Sequence, residues 1–370
     1  METPSLSIDL DAIEANARAV VSLCAEHGIT VTGVTKGVCG DAEIARAMLR
    51  GGIGSLADSR LENVARLRAG GIDVPITLLR LPPLSAVADV VTAVGSSLNS
   101  ELAVLEGLAQ AAQRRGTVHE VVVMVDLGDL REGLWPDDVV PFVARATALP
   151  GIRVAGLGTN LACLGGVAPS ADNMARLVAL AAEIERSCRL TLDLVSGVNS
   201  SGLELMATGA MPARVNHARI GEAILLGRET LHRRPWPGTR QDAFELRAEI
   251  LERKAKPSLP VGERAEDAFG RRPAFEDRGE RVRALLNIGR EDVDVAGLTP
   301  LDAGVVVLGA SSGYLVADVT DADADAQVGD ALAFRPSYGA LLAAMTSEYV
   351  KKRPIRGGAP VAADGGPAYG

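Results

Sequence analysis

Over roughly its first 230 residues the chain repeats one pattern: a short apolar run, a polar turn, then a segment with helical spacing. The apolar runs are "ITVTGVTK", "GIGSLAD", "VPITLLRL", "SSLNS", "HEVVVMVDLG", "IRVAGLGTN", "LTLDLVSG" and "ARVNHARIG". Between most of them lie stretches such as "DAEIARAMLRGG", "SRLENVARLRAGG" and "DNMARLVALAAEIERS", whose apolar residues fall three and four apart. Eight strands alternating with helices over this length predict an α/β fold, a closed (β/α)8 TIM-type barrel. The competing arrangement is an open doubly wound sheet, but no G-x-G-x-x-G follows the first strand and opens a helix. The composition agrees with a buried parallel sheet. It is 47% hydrophobic but only 3% aromatic, so the core is built from Ala, Val, Leu and Ile.

From about residue 240 the rhythm changes. "FELRAEILERKAKPSLPVG" and "GVVVLGASSGYLVADVT" read as strands joined by Gly- and Pro-containing turns, and "ALAFRPSYGALLAAMTS" as a strand turning into a short helix. The expected organisation is a barrel over residues 9–232, a smaller and mostly β domain over 233–350, and a disordered tail over 351–370 rich in Gly, Pro and Ala. The opening strand at 4–9 has no slot in the barrel and is assigned to the second domain.

A net charge of -9 argues against nucleic acid or anionic lipid as the main partner. No apolar run approaches membrane-spanning length, so no membrane span is expected. The four cysteines have neither zinc-ligand spacing nor the density of a disulfide scaffold. With an N-terminus that lacks signal-peptide regions, they point to a reducing cytoplasm, and no metal site is expected.

In such a barrel the chemistry sits at the C-terminal ends of the strands. Lys36 lies at that end of the first. Strand alternation places Thr30, Thr32, Val34 and Lys36 on one face, and the more apolar Ile29, Val31, Gly33 and Thr35 beneath the helices. A lysine in the barrel mouth is partly desolvated, which lowers its pKa and makes it a better nucleophile. The alternatives are a side chain that snorkels to water or pairs with a carboxylate. Other strand ends bring Asp126 and Arg131, Asn160, the run Asn199-Ser200-Ser201, and His217, Arg219 and Gly221 to the same rim. "SGVNSSG" and "RIGEA" suit an anion where strands turn toward helices. A lysine facing a phosphate cup suggests pyridoxal phosphate, held as a Schiff base.

In order and spacing, "IDLDAIEANA", "VTGVTKGVCGD", "LADSRLENVARLRAGG", "VDLGDLREG", "GTNLACLGG", "SGVNSS", "RIGEAILLGRE", "PVGERAEDAFG" and "YGALLAAMTS" carry a family resemblance. The chain resembles the alanine racemase-like pyridoxal phosphate enzymes of fold type III, and within them the alanine/ornithine racemase branch. The resemblance implies that Lys36 is the Schiff-base lysine. It also implies that Asn199, Ser200, the backbone of Gly221 and Glu222, and Tyr338 serve the phosphate, and that Arg219 lies beside the pyridine nitrogen. A guanidinium there stays charged and cannot accept the ring's proton, which favours reprotonation at Cα. "VDLGDLREG" matches the family's Asp-x-Gly-x-x-Arg-x-Gly, so Arg131 is the candidate for orienting the substrate carboxylate; a loop pairing with Asp129 or Glu132 is the alternative.

Departures from the pattern concern the second proton exchanger. Where alanine racemases carry Val-Gly-Tyr, this chain reads Val261-Gly262-Glu263. Asn160 replaces the imidazole that stacks on the cofactor and is expected to bind the cofactor instead through a hydrogen bond to its phenolic oxygen, and Gly40 replaces a tyrosine after the lysine. Gly313-Tyr314 stands where the branch is expected to carry Asp-His. Racemisation needs proton exchange on both faces of Cα. Tyr314, Asp267 and Glu263 are the candidates for the second face. Asp267 and Glu263 are alternatively contacts for a substrate side-chain amine, or solvated acids, and Tyr314 a packed strand aromatic. His217 either supports the cofactor or is an ordinary core histidine. The resemblance implies a racemase of a basic amino acid such as ornithine or lysine, working as a head-to-tail homodimer. The competing activities on this fold are decarboxylation, D-amino-acid aldol cleavage and non-catalytic binding of the cofactor.

Overall fold

The computed structural model describes residues 2–361, which divide into two compact units. One takes residues 10–241, the other 2–9 together with 242–361. The opening strand β1 (Ser5–Asp9) belongs to the latter unit.

The 10–241 unit begins with α1 (Leu10–Glu26) and then alternates strand and helix. In order these are β2 (Thr30–Val34), α2 (Ala42–Arg50), β3 (Ser55–Asp58), α3 (Leu61–Ala69), β4 (Ile76–Leu78), α4 (Val87–Ala93), β5 (Ser96–Asn99), α5 (Leu102–Arg115), β6 (His119–Val125), α6 (Pro136–Thr147), β7 (Ile152–Thr159), α7 (Ala171–Cys188), β8 (Leu194–Val198), α8 (Leu203–Ala207), β9 (His217–Ile220) and α9 (Glu222–Leu226). All neighbouring strands pair in parallel, and β9 returns to β2, Thr32 opposite Arg219, so the barrel is closed. The eight apolar runs read from the sequence are these eight strands.

Side-chain alternation sorts the two faces. A Cβ on Gly33 would meet Ile53, Leu56 and Met48, on the helix side. Thr32, one residue earlier, bonds to Ser55 Oγ at 2.7 Å and His217 Nε2 at 2.8 Å inside the barrel. Elsewhere the interior is filled by Leu98, Val122 and Met124. Two of the helices, α2 and α7, start where side chains satisfy their first amides. Asp41 accepts from the N–H of Ile44 at 3.0 Å, and Ser170 and Asn173 form a capping box on α7. The unit extends to Gln241 rather than ending at 232. Asn16 of α1 exchanges bonds with the Arg240 backbone at 2.8 and 2.6 Å, and Thr239 and Gln241 bond to Gly227 O.

The second unit adds β10 (Phe244–Pro257), β11 (Glu280–Leu286), β12 (Leu298–Pro300), β13 (Val306–Ala310), β14 (Leu315–Asp318), β15 (Ala331–Pro336), α10 (Tyr338–Thr346), β16 (Lys351–Arg356) and β17 (Ala359–Pro360). With β1 these strands form a nine-stranded sheet, with β13-β14-β11-β10-β1-β16-β17 in order and β15 pairing β10 and β12. β10 alternates buried and half-buried residues from Phe244 to Ile250, then passes a bulge between Ile250 and Glu252 into its pairing with β11. The expected disorder over 351–370 is corrected for residues 351–361. Lys351–Ile355 pair in parallel with Ser5–Asp9, and Val361 N–H bonds to Pro354 O at 2.9 Å. The edge of β1 satisfies the backbone of this polar segment, a long-range partner that local composition does not reveal. The rest of the expected tail, 362–370, lies outside the described residues. Among the described residues no helix is long and apolar enough to cross a membrane.

Candidate active site

Lys36 stands just past β2, not on it. The strand ends at Val34, Thr35 caps, and Lys36 opens a single 3-10 turn over Lys36–Val38. This corrects the expectation that strand alternation alone aims it. Two anchors set the turn. Thr35 donates through Oγ1 to Asp58 Oδ2 at 2.7 Å and through N–H to Ala57 O at 3.0 Å. Asp58 is buried, and it also accepts from Asn63 Nδ2 and the N–H of Ser59 at 2.8 and 2.7 Å. Burial raises its pKa despite those bonds. Gly40 closes the turn at φ +66°, and a Cβ there would meet Asn63 O at 2.6 Å. The tyrosine of the related pattern therefore has no room at this position.

Burial lowers the pKa of Lys36 below that of a free lysine. The charges of Arg131 and Arg219 push the same way, while Cys163 and Glu132 oppose. A cation among cations, taken out of water, gives up its proton readily, which suits a nucleophile or a base.

The loop after β6 presents Arg131 and Glu132. Asp126 Oδ1 shapes it by accepting the N–H of Gly128 at 2.8 Å and of Leu130 at 3.2 Å. Gly133, at φ +131°, packs so that a Cβ would meet Asp126 N at 2.4 Å. Arg131 makes a forked contact, Nε and Nη2 to the two oxygens of Glu132. The sequence left Arg131 between a carboxylate fork and a loop pairing; in this structure the fork holds Glu132. Asp129 fastens the loop after β7 by accepting the N–H of Cys163, Leu164 and Val167 at 3.2, 2.9 and 3.1 Å. Burial would raise its pKa, but these amides bring it below the usual carboxylate range.

Asn160 lies between two donors. Its oxygen either accepts from Asn199 Nδ2 at 3.2 Å or, with the amide turned, from Arg131 Nη2 at 2.8 Å. The guanidinium is the charged donor, so we assign the second orientation. Asn199 then ties its own loop to the neighbouring one. Its Nδ2 donates to Leu161 O at 2.9 Å and its Oδ1 accepts from Ser201 N–H at 2.8 Å. Ser200 Oγ accepts from Ala223 N–H at 3.1 Å in the first turn of α9, and Ser201 Oγ is buried without a partner. Gly221 caps α9 against Val34, and the Glu222 side chain pairs with Arg233.

Arg219 is buried in the barrel mouth. Nη1 donates to Ser196 O at 3.3 Å and to Ser196 Oγ, and Nη2 to Thr159 O at 2.7 Å. Burial lowers its pKa to about 10, still cationic near neutrality. Ser196 Oγ also meets His217 Nδ1 at 2.7 Å, while His217 Nε2 meets Thr32 Oγ1. Burial and the Arg219 charge lower His217 to about 3, so it is a neutral link in the chain Thr32–His217–Ser196–Arg219. His217 thus supports Arg219. The sequence signal was its parity with Arg219 on one strand. Ser196 carried no comparable signal.

The second unit carries the remaining expected residues. Tyr314 sits in the turn between β13 and β14, 51% exposed, so it is no packed strand aromatic. Glu263 and Asp267 lie in the exposed loop 258–279. Asp267 accepts from the N–H of Phe269 and Arg271, both at 2.9 Å, and these backbone bonds lower its pKa. Tyr338 opens α10, which Ser337 caps. Among the described residues no group of His, Cys, Asp and Glu is placed to hold a metal ion.

A closed parallel barrel whose strand ends converge on a desolvated lysine and a buried arginine defines a class, a barrel enzyme built around an amine. The family model for the alanine racemase N-terminal domain matches residues 8–229, and the chain belongs to that family. It is similar to the ornithine racemase of Acetoanaerobium sticklandii, 41% identical over 350 residues that cover 94% of this chain and 99% of that protein. It is also similar to the lysine racemase of Thermotoga maritima, 40% identical over 352 residues, 95% and 98% of the two chains. Among solved structures, alanine racemase from Bartonella henselae with covalently bound pyridoxal phosphate aligns with a TM-score of 0.72 at 20% identity, covering 96% of this chain and 100% of that one.

Proposed function

We propose that the chain is a pyridoxal phosphate-dependent racemase of a basic amino acid, ornithine or lysine. The observation that carries this reading is the desolvated Lys36 amine within the field of Arg131 and Arg219, in a chain about as similar to an ornithine racemase as to a lysine racemase. The mouth suits the cofactor chemically. Ser201 Oγ is an orphaned buried hydroxyl beside Ser200 and the start of α9. Ser200, Ser201, Tyr338 and the backbone of Gly221 and Glu222 would hold the phosphate, with Asn160 and Asn199 ordering the rim. Lys36 would hold the aldehyde carbon and Arg219 the ring nitrogen.

Pyridoxal phosphate, when bound, supplies an electron sink for the charge left when Cα loses its proton. Lys36 Nζ, whose pKa burial lowers, would take and return that proton on one face. Arg131 orients the substrate carboxylate. Arg219 keeps its own protons on nitrogen, so it would offer the ring nitrogen a hydrogen bond and no proton, which would favour return of the proton to Cα. On the opposite face Tyr314 would exchange the proton, with Asp267 and Glu263 of the same unit as the alternatives. The exposed loop 258–279 shows Val261 at 92%, Phe269 at 43% and Phe275 at 40% exposure, which favours a second copy covering it in a head-to-tail homodimer. Four free thiols fit a cytoplasmic protein.

The test is incubation of the cofactor-loaded protein with L-ornithine, L-lysine and L-alanine in deuterated water. The expected outcome is D-ornithine or D-lysine with deuterium at Cα, abolished in Lys36→Ala. Release of carbon dioxide, or cleavage to an aldehyde, would replace this reading with a lyase activity.

A further inference from the structure

Arg131, Arg219 and Lys36 crowd positive charge at the barrel mouth, and the loop that carries Arg131 holds three carboxylates, Asp126, Asp129 and Glu132. They are not equivalent. Asp126 is spent on the N–H groups of Gly128 and Leu130, and Asp129 on those of Cys163, Leu164 and Val167. Both shape loops, and moving either would undo a turn. Glu132 is spent on a side chain, the guanidinium of Arg131, with both oxygens. Its own side chain is only 14% exposed, and its charge reaches both Lys36 and Arg219.

That pairing conflicts with the part Arg131 has to play. If Arg131 receives the substrate carboxylate in its fork, it releases Glu132 wholly or in part. A mostly buried carboxylate that loses its partner is costly, because its charge is left without a counter-ion away from water. The cost vanishes if the incoming substrate brings a cation. A basic amino acid does so, because it carries a carboxylate at one end and an ammonium at the other. A neutral amino acid of the same length brings only the carboxylate and leaves Glu132 stranded.

We propose that Glu132 is the specificity residue of this site: substrate entry exchanges the Arg131–Glu132 pair for two pairs, Arg131 with the substrate carboxylate and Glu132 with the side-chain ammonium. The inference rests on the racemase reading above and names the group that selects the substrate class. No covalent step is involved, and charge is balanced before and after the exchange.

The experiment compares L-ornithine with L-norvaline, which has the same carbon chain without the terminal amine. Both are assayed with the wild-type protein and with Glu132→Gln, loaded with cofactor and checked for its absorbance. In Glu132→Gln the ornithine-to-norvaline ratio of kcat/KM is expected to fall at least about thirtyfold, chiefly through KM for ornithine. An equal loss on both substrates would overturn the proposal, because it would make Glu132 only a brace for Arg131. An unchanged ratio would overturn it as well. Glu132→Asp gives a second reading if the first variant fails to fold. Drawing the carboxylate back should raise the lysine-to-ornithine ratio, since lysine is one methylene longer, and an unchanged ratio there counts against the proposal. If the wild-type protein racemises neither basic amino acid, the racemase reading itself fails, an outcome separate from a loss of selectivity.

Discussion

Lys36 illustrates how one residue draws its reactivity from its surroundings. An exposed lysine is protonated at neutral pH and inert. This one is half-buried within the field of Arg131 and Arg219, and desolvation is the largest cause of its lowered pKa. The same shift has a consequence for stability. Between its lowered folded pKa and the ordinary value of 10.5, the folded chain binds fewer protons at this site than the unfolded chain does. The stability of the cofactor-free protein should therefore rise with pH across that window and level off above it. Below the folded pKa both states carry the proton, and the burial penalty is felt in full. Lys36→Met keeps the bulk and removes the charge. It should be more stable than the wild type at neutral pH, with the difference shrinking as pH approaches 10.5. Urea unfolding midpoints of the two cofactor-free proteins across pH 7–10.5 check this; a difference that stays constant with pH would refute it.

The element that places Lys36 is the short connection from β2 to α2, and it works by close packing. Gly40 turns the chain at φ +66° directly against Asn63 O. Asn63 in turn bonds Asp58, and Asp58 holds Thr35, the residue before the lysine. Gly40→Ala should therefore cost about 2–4 kcal/mol, combining an unfavourable positive φ with a clash against backbone. It should also lower kcat more than an equally destabilising substitution on the outer face of α5, because the disturbance passes to Lys36. Chemical denaturation alongside steady-state rates for the two variants separates the effects. The connection also marks the limit of what the residues alone reveal. The barrel strands were legible because each is an apolar run between turn residues, and Lys36, Arg131 and Arg219 because cations at strand ends are conspicuous there. The turn that carries Lys36 and the Ser196 bridge between His217 and Arg219 were not legible, because each depends on a neighbour brought in by the fold, whereas the Arg131–Glu132 pair was one of two loop pairings the residues offered. β16 was missed for the same reason: its polar segment is a strand only because β1 offers it an edge.

At the scale of the whole molecule the division of labour between the units matters most. The 10–241 unit holds Lys36, Arg131 and Arg219, and the other unit holds Tyr314, Glu263 and Asp267. A racemase needs proton exchange on both faces of one carbon, so in the proposed dimer a working site takes one unit from each copy. This arrangement makes a prediction that a monomeric site does not. Lys36→Ala and Tyr314→Phe, each alone, should lose nearly all racemisation, the first for want of the amine and the second for want of the phenol on the other face. Mixed, unfolded and refolded together, they form heterodimers in which one site carries both lesions and the other carries neither. Random pairing makes half of the dimers mixed, each with one intact site, so about a quarter of the wild-type activity should return. Recovery of that order, absent when the two variants are combined without subunit exchange, would establish a shared site with Tyr314 in it. If Tyr314→Phe keeps full activity, the phenol is dismissed, and the same mixing repeated with Glu263→Gln and Asp267→Asn identifies the residue that serves the second face. If no pairing restores activity although size measurements show a mixed dimer, both groups act within one chain, and the proposed head-to-tail site falls.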